Sequence, residues 1–168
     1  MKKKTMLFLA SALSASAFLM IVATRPAKTE MNTNKTPTPE VTAEERKVAY
    51  LNKDAELTDI KREKGKVNIY MFWGNGCPHC KAQWETLEAM RKKYPNDFNV
   101  YGFEVWYNHG NLELLKEFAA ARGDEVNSVP YTIIGDQGFV GAQGEEALKD
   151  AIDEFKNQGI DIYFDKIK

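Results

Sequence analysis

The chain predicts an α/β fold: a mostly parallel sheet flanked by helices, followed by an antiparallel hairpin. Three observations carry this. Short β-branched and aromatic runs alternate with stretches of helical period from about residue 41 to Gly159, and such alternation calls for crossover connections between parallel strands. Two later short runs, VPYTIIG and GFVG, are separated by Gly135-Asp136-Gln137-Gly138, which reads as a hairpin turn. The only two cysteines, Cys77 and Cys80, stand where a strongly apolar strand gives way to a helix.

The elements follow in order. Thr42 and Glu45 have the spacing of a capping box, and Val48, Leu51 and Ala55 mark one apolar face. A helix is therefore expected to start at Thr42 and run on, with or without interruption, through Ile60 until Gly65 stops it. KVNIYMFW, Lys66 to Trp73, is apolar on both faces, the pattern of a central strand. Trp84, Leu87, Met90 and Tyr94 recur at helical spacing before Pro95-Asn96 closes the helix. FNVYGFEVW, Phe98 to Trp106, is a second strand. Leu112, Leu115, Phe118 and Ala119 form the next amphipathic helix, ended by Gly123, and the hairpin follows. A last helix carries Leu148, Ala151, Ile152 and Phe155 and ends near Gly159; the final IDIYFDKIK either adds an edge strand or lies over the surface. The sheet is expected to have about four strands.

Residues 1–40 stand apart from this pattern. They carry six Lys/Arg and two Asp/Glu, leaving 17 against 22 for the remainder, so a mildly acidic domain follows a basic leader. That balance argues against nucleic acid as the main partner, because phosphate binding needs a basic surface. Lys2, Lys3 and Lys4 precede an uncharged run from Thr5 to Thr24. Residues 1–24 thus read as an export signal, either a cleavable signal peptide or a retained membrane anchor. With the lysines held in the cytoplasm, the rest of the chain lies outside. Residues 25–40 contain three prolines and four threonines and almost nothing apolar, which makes them a flexible linker. Residues 41–168 form the folded domain. The chain has no Gly-rich phosphate loop, and no cofactor is expected.

The cysteine pair admits several chemistries. A disulfide joining residues three apart constrains the unfolded chain little and makes a poor staple. A zinc site needs further ligands, and His79 and His109 are the only histidines; no metal is expected. Haem attachment wants a histidine directly after the second cysteine, where Lys81 stands. The redox reading fits best. Pro78 suits a first helical position, so Cys77 sits where free backbone N–H groups favour a thiolate, and His79 adds a donor. Cys77 is expected to be the exposed nucleophile and Cys80 the more buried resolving thiol.

Phe-Trp-Gly-Asn-Gly-Cys-Pro-His-Cys after a buried strand resembles the thioredoxin-like superfamily, and Cys-Pro-His-Cys is similar to the active site of the DsbA-type disulfide oxidants. The resemblance covers about residues 42–158 in element order. Its second anchor is Ser128-Val129-Pro130-Tyr131-Thr132. The resemblance implies a thioredoxin fold with the CxxC at a helix N-terminus. It further implies a cis peptide bond at Pro130 facing the cysteines, and a Val129 backbone that pairs with an extended substrate. Trp73 is a candidate to pack beside the site, and a core role explains it equally well. There are also departures. Only 49 residues separate Cys80 from Pro130, too few for the large helical insertion of the DsbA type, so a compact thioredoxin or glutaredoxin-like core is expected. Met71 stands where the family has a buried acid; Glu104, on the neighbouring strand, is a candidate substitute proton acceptor, the alternative being a carboxylate simply solvated near a strand's end. Gly76 replaces a frequent tryptophan. VPYTIIGDQGFVGA resembles a glutaredoxin segment with Ala142 in place of its second glycine, and His109 reads as a loop residue.

The expected function is that of an enzyme, an extracytoplasmic thiol–disulfide oxidoreductase acting on protein cysteines. Its partners would be exported proteins with thiols or disulfides, a membrane or soluble redox partner, and the membrane itself if the leader is retained. Pro78-His79 and Val129 favour an oxidant; the compact tethered domain suits a reductase. The alternative is a non-catalytic thioredoxin-like binding or assembly module of the cell envelope, with the CxxC incidental.

Overall fold

The computed structural model describes residues 50–168. The export segment, the linker and the Thr42–Glu45 capping box lie outside the described residues. Among those described, no helix is long and apolar enough to cross a membrane.

The strands are β1 (Leu51–Asn52), β2 (Val67–Trp73), β3 (Phe98–Glu104), β4 (Tyr131–Ile134) and β5 (Gln137–Val140). The helices are α1 (Pro78–Lys93), α2 (His109–Arg122) and α3 (Glu145–Lys156), with a 3-10 turn at Leu57–Asp59 and a π-helical turn at Tyr163–Ile167. The sheet order is β1-β3-β2-β4-β5. β1, β3 and β2 run parallel, and β4 and β5 join antiparallel. This is the expected thioredoxin-type α/β arrangement, with five strands rather than about four.

Strand periodicity explains the layers. Successive side chains of a strand point to opposite faces, so Val67, Ile69 and Met71 of β2 meet α1 and α3, where Trp84, Leu87, Met90, Leu148, Ile152 and Phe155 are buried. Tyr70 and Phe72 point the other way, onto Leu115 and Phe118 of α2. A strand covered on both faces has no polar side to show, which is why KVNIYMFW lacks alternation.

The expected helix up to Ile60 is not present in the described part of that stretch. Leu51 and Asn52 instead pair in parallel with Val100 and Tyr101. The physical reason lies in where the apolar positions go. Leu51 packs against the α1/α3 side of the sheet, whereas Ala55 and Ile60 are buried on the α2 side. Residues that serve opposite faces cannot form one helical stripe.

The C-terminal segment is neither an edge strand nor a surface strap. Asp161 is a buried carboxylate that accepts from the Tyr70 hydroxyl at 2.7 Å, Asn68 Nδ2 at 2.8 Å and the Tyr163 N–H at 3.1 Å. Ile162 and Tyr163 join the core over α2, with the Tyr163 ring stacked on Phe118. α2 also starts earlier than expected. Asn108 caps it by accepting from the Asn111 N–H, so His109 is the first helical residue rather than a loop residue.

Candidate functional site

Cys77 is the N-cap of α1. Its Sγ accepts from the Cys80 N–H at 3.2 Å, and Pro78, which has no N–H to satisfy, occupies the first helical position. Gly76 turns the chain into the helix at φ +88, a conformation open to glycine. The Cys77 N–H donates to the Gly74 carbonyl at 3.1 Å, closing the turn from the end of β2.

Both cysteines are free thiols. Cys77 retains 7% of its surface and Cys80 1%, so Cys77 is buried rather than exposed as expected, and is the less buried of the two. Burial first, and the hydrogen bond with Cys77 second, push the Cys80 thiol up to about 12. His79 is exposed in the same first turn.

Facing the cysteines, the Val129–Pro130 peptide is cis. Cys77 Sγ lies 3.9 Å from the Val129 carbonyl oxygen, which can accept from the thiol. Val129 is half-buried and Pro130 buried. The β4–β5 pairing extends to this loop, where the Gly141 N–H donates to the Pro130 carbonyl at 2.8 Å. Cys77, Cys80, Pro78, Val129 and Pro130 are therefore one constellation drawn from two loops.

A groove of about 700 Å³ opens beside the pair and includes Lys53, Trp73, Cys77, Cys80, Trp84 and Glu88 in its walls. Trp73 meets Trp84 edge to face and donates its Nε1–H to the Lys53 carbonyl at 2.8 Å. Lys53 lies over the Trp84 ring and pairs with Glu88 at 3.6 Å. Lys53 and Glu88 had no role in the sequence reading, and Trp84 was read only as part of the helix's apolar face. Trp84 and Glu88 sit one turn apart on α1, a spacing that brings them to one face. A second groove of about 710 Å³, between residues 54–58 and α2, contains neither cysteine.

Met71 is fully buried and pairs with Gly102 and Thr132, so the interior behind Cys80 holds no carboxylate at that position. Glu104, the candidate substitute proton acceptor, is engaged by main-chain donors. Its carboxylate oxygens accept from the backbone N–H groups of Asn75 and Trp106 (Oε1) and of Tyr107 and Asn108 (Oε2). Sequence reasoning missed this role because backbone donors leave no mark in residue identity. His109 lies in the first turn of α2 and has no part in the constellation. Among the described residues, no group of three or more His, Cys, Asp or Glu could hold a metal ion.

No family model matches the chain. A thioredoxin from Methanocaldococcus jannaschii is 32% identical over 88 residues, which make up 52% of this chain and 93% of that protein. A thioredoxin-like protein from Clostridium perfringens is similar in structure at 20% identity and a TM-score of 0.49, over 64% of this chain and 82% of that one. A protein from Agrobacterium tumefaciens is similar at 23% identity and a TM-score of 0.47, over 55% of this chain. The match spans 46% of the Agrobacterium protein, less than half of its length.

Proposed function

Since the chain belongs to the thioredoxin family, we propose that it is an extracytoplasmic protein thiol–disulfide oxidoreductase working through Cys77 and Cys80. One observation carries the reading: Cys77, the less buried cysteine, accepts the Cys80 N–H on its Sγ at the head of α1. That bond aims a backbone donor at the sulfur that would attack.

In the reducing direction the Cys77 thiolate attacks a substrate disulfide. One substrate sulfur stays bound to Cys77 and the other leaves as a thiolate. Cys80 then loses its proton and attacks Cys77 Sγ, forming the Cys77–Cys80 disulfide, and the second substrate thiolate departs and takes up a proton. In the oxidising direction the same steps run backwards, and two substrate thiols give up two electrons to the Cys77–Cys80 disulfide. We assign the oxidising direction to this protein. The Cys80 N–H bond and the neighbouring Pro78-His79 favour the reduced pair, which makes the disulfide reactive. His79 serves as a donor to the leaving sulfur. Val129 aligns an extended substrate segment across the cis Pro130 loop, and Trp73 walls the groove beside it.

The proposed substrates are exported proteins with cysteine thiols, with a membrane or soluble protein recharging the pair. The export reading rests on Lys2-Lys3-Lys4 and the uncharged run to Thr24. Equilibration of the pair with glutathione buffers tests the direction. A midpoint between about −120 and −180 mV is expected, and one near about −270 mV would reverse the assignment.

A further inference from the structure

The loop that enters α1 and the loop that leaves β3 are tied together by one carboxylate. Glu104 Oε1 accepts from the Asn75 N–H at 3.1 Å and the Trp106 N–H at 3.0 Å. Oε2 accepts from Tyr107 at 2.9 Å and Asn108 at 3.2 Å. A carboxylate offers about four lone-pair sites, and all are filled by main-chain donors. Asn75 belongs to the short loop that enters α1, two residues before Cys77, whereas the other three donors belong to the loop that leaves β3.

Three further contacts brace the same junction. The Trp106 indole packs on Gly74, where any Cβ would overlap the ring. The Val105 N–H donates to the Trp73 carbonyl at 2.8 Å. Asn111 Nδ2 donates to the Glu104 carbonyl at 3.0 Å, fixing the end of β3 to α2. Burial pushes the Glu104 carboxyl up, but the Tyr107, Asn75, Trp106 and Asn108 N–H groups together outweigh it, and the net direction is down. The side chain is therefore charged at neutral pH and committed to these bonds.

We propose that Glu104 is the positioning residue for Cys77: by clamping the loop before α1 to the loop after β3, it holds the geometry in which Cys77 Sγ accepts the Cys80 N–H. A carboxylate simply solvated at a strand end would make none of these bonds. One that served overall stability alone would leave the reactivity of Cys77 unchanged when removed. The inference rests on the redox reading of Cys77 and Cys80, and the test separates the two.

The full chain is compared with Glu104→Ala and Glu104→Gln. The readouts are the rate of Cys77 alkylation by iodoacetamide at fixed pH and the Cys77–Cys80 disulfide equilibrium against glutathione. Glutamine keeps one carbonyl oxygen that can hold the Asn75 and Trp106 bonds but lacks the charge. The expected result is an alkylation rate about tenfold lower for Glu104→Ala, with the equilibrium shifted by a similar factor, and at least half of that loss restored by Glu104→Gln. Asp161→Asn, which weakens the fold elsewhere, should leave the alkylation rate of the folded protein unchanged. An unchanged rate in Glu104→Ala would overturn the proposal. So would equal acceleration in both variants, because that would mean the carboxylate acts by its charge alone. If Glu104→Ala does not fold, Glu104→Asp decides. It keeps the charge but loses reach, so a rate at least about threefold lower is expected, and a wild-type rate overturns the clamp. Failure of the wild-type protein to form the Cys77–Cys80 disulfide in any glutathione buffer would instead sink the redox reading.

Discussion

Cys80 keeps its proton at neutral pH because burial, and then its bond with Cys77, push the thiol up to about 12. Cys77, with more surface and a backbone donor on its sulfur, is the proposed reactive partner. Brief iodoacetamide treatment of the reduced protein at neutral pH should therefore modify Cys77 and spare Cys80 until the chain is unfolded. Peptide mass spectrometry reads this directly, and equal labelling of both residues in the folded protein would contradict it. At this scale much was legible in the sequence. The three-residue spacing, Pro78 at a helix start, and Val129-Pro130 before a strand are local patterns, and the fold brings them together. Glu104 was not legible as a clamp, because its partners are main-chain N–H groups supplied by two loops. The recess of Cys77 was not legible either, since it depends on how closely the Val129 loop approaches.

The elements were legible where one residue pattern served one face. α3 carries Leu148, Ala151, Ile152 and Phe155 into a single cluster, and its helical spacing showed it. Residues 50–60 were misread because their apolar positions divide between two faces, and the last nine residues because Asp161 meets Asn68 and Tyr70 only after folding. Two substitutions test these contacts. Gly102 lies under the Trp84 ring, and an added Cβ would come within 2.5 Å of the indole and 2.8 Å of the Lys53 carbonyl oxygen. Gly102→Ala should cost about 1–3 kcal/mol by overpacking, read as a lower urea midpoint with an unchanged slope. Asp161→Ala would leave the Tyr70 hydroxyl and the Asn68 amide without their buried acceptor. A loss of about 2–4 kcal/mol is expected, and a variant as stable as the parent would show that the C-terminal turn does not hold the sheet.

Among the described residues, four carboxylates are held below their ordinary range, Glu145 among them through its hydrogen bonds with Lys93 and Tyr94. Asp124 is lowered by Arg122 and Tyr131, and Asp165 by the Asp161 N–H and Arg62. Glu104 is raised by burial but lowered further by its four N–H donors. A depressed folded value stabilises the protein above the unfolded value, here 3.8 for Asp and 4.5 for Glu. That stabilisation is lost as pH falls through the lower folded values. The urea midpoint should therefore hold steady above about pH 5 and fall steadily below about pH 4. A midpoint that does not move between about pH 5 and pH 2 would mean these contacts contribute nothing. In the proposed mechanism two sulfurs at the head of α1 act in sequence, Cys77 first and Cys80 second. The most direct measurement is to challenge the parent, Cys77→Ser and Cys80→Ala with a disulfide-bonded protein and to separate the products without reductant. A lasting mixed disulfide through Cys77 is expected in Cys80→Ala, with its rapid resolution in the parent and none in Cys77→Ser. Full exchange by Cys77→Ser, or no mixed disulfide in Cys80→Ala, would contradict that mechanism.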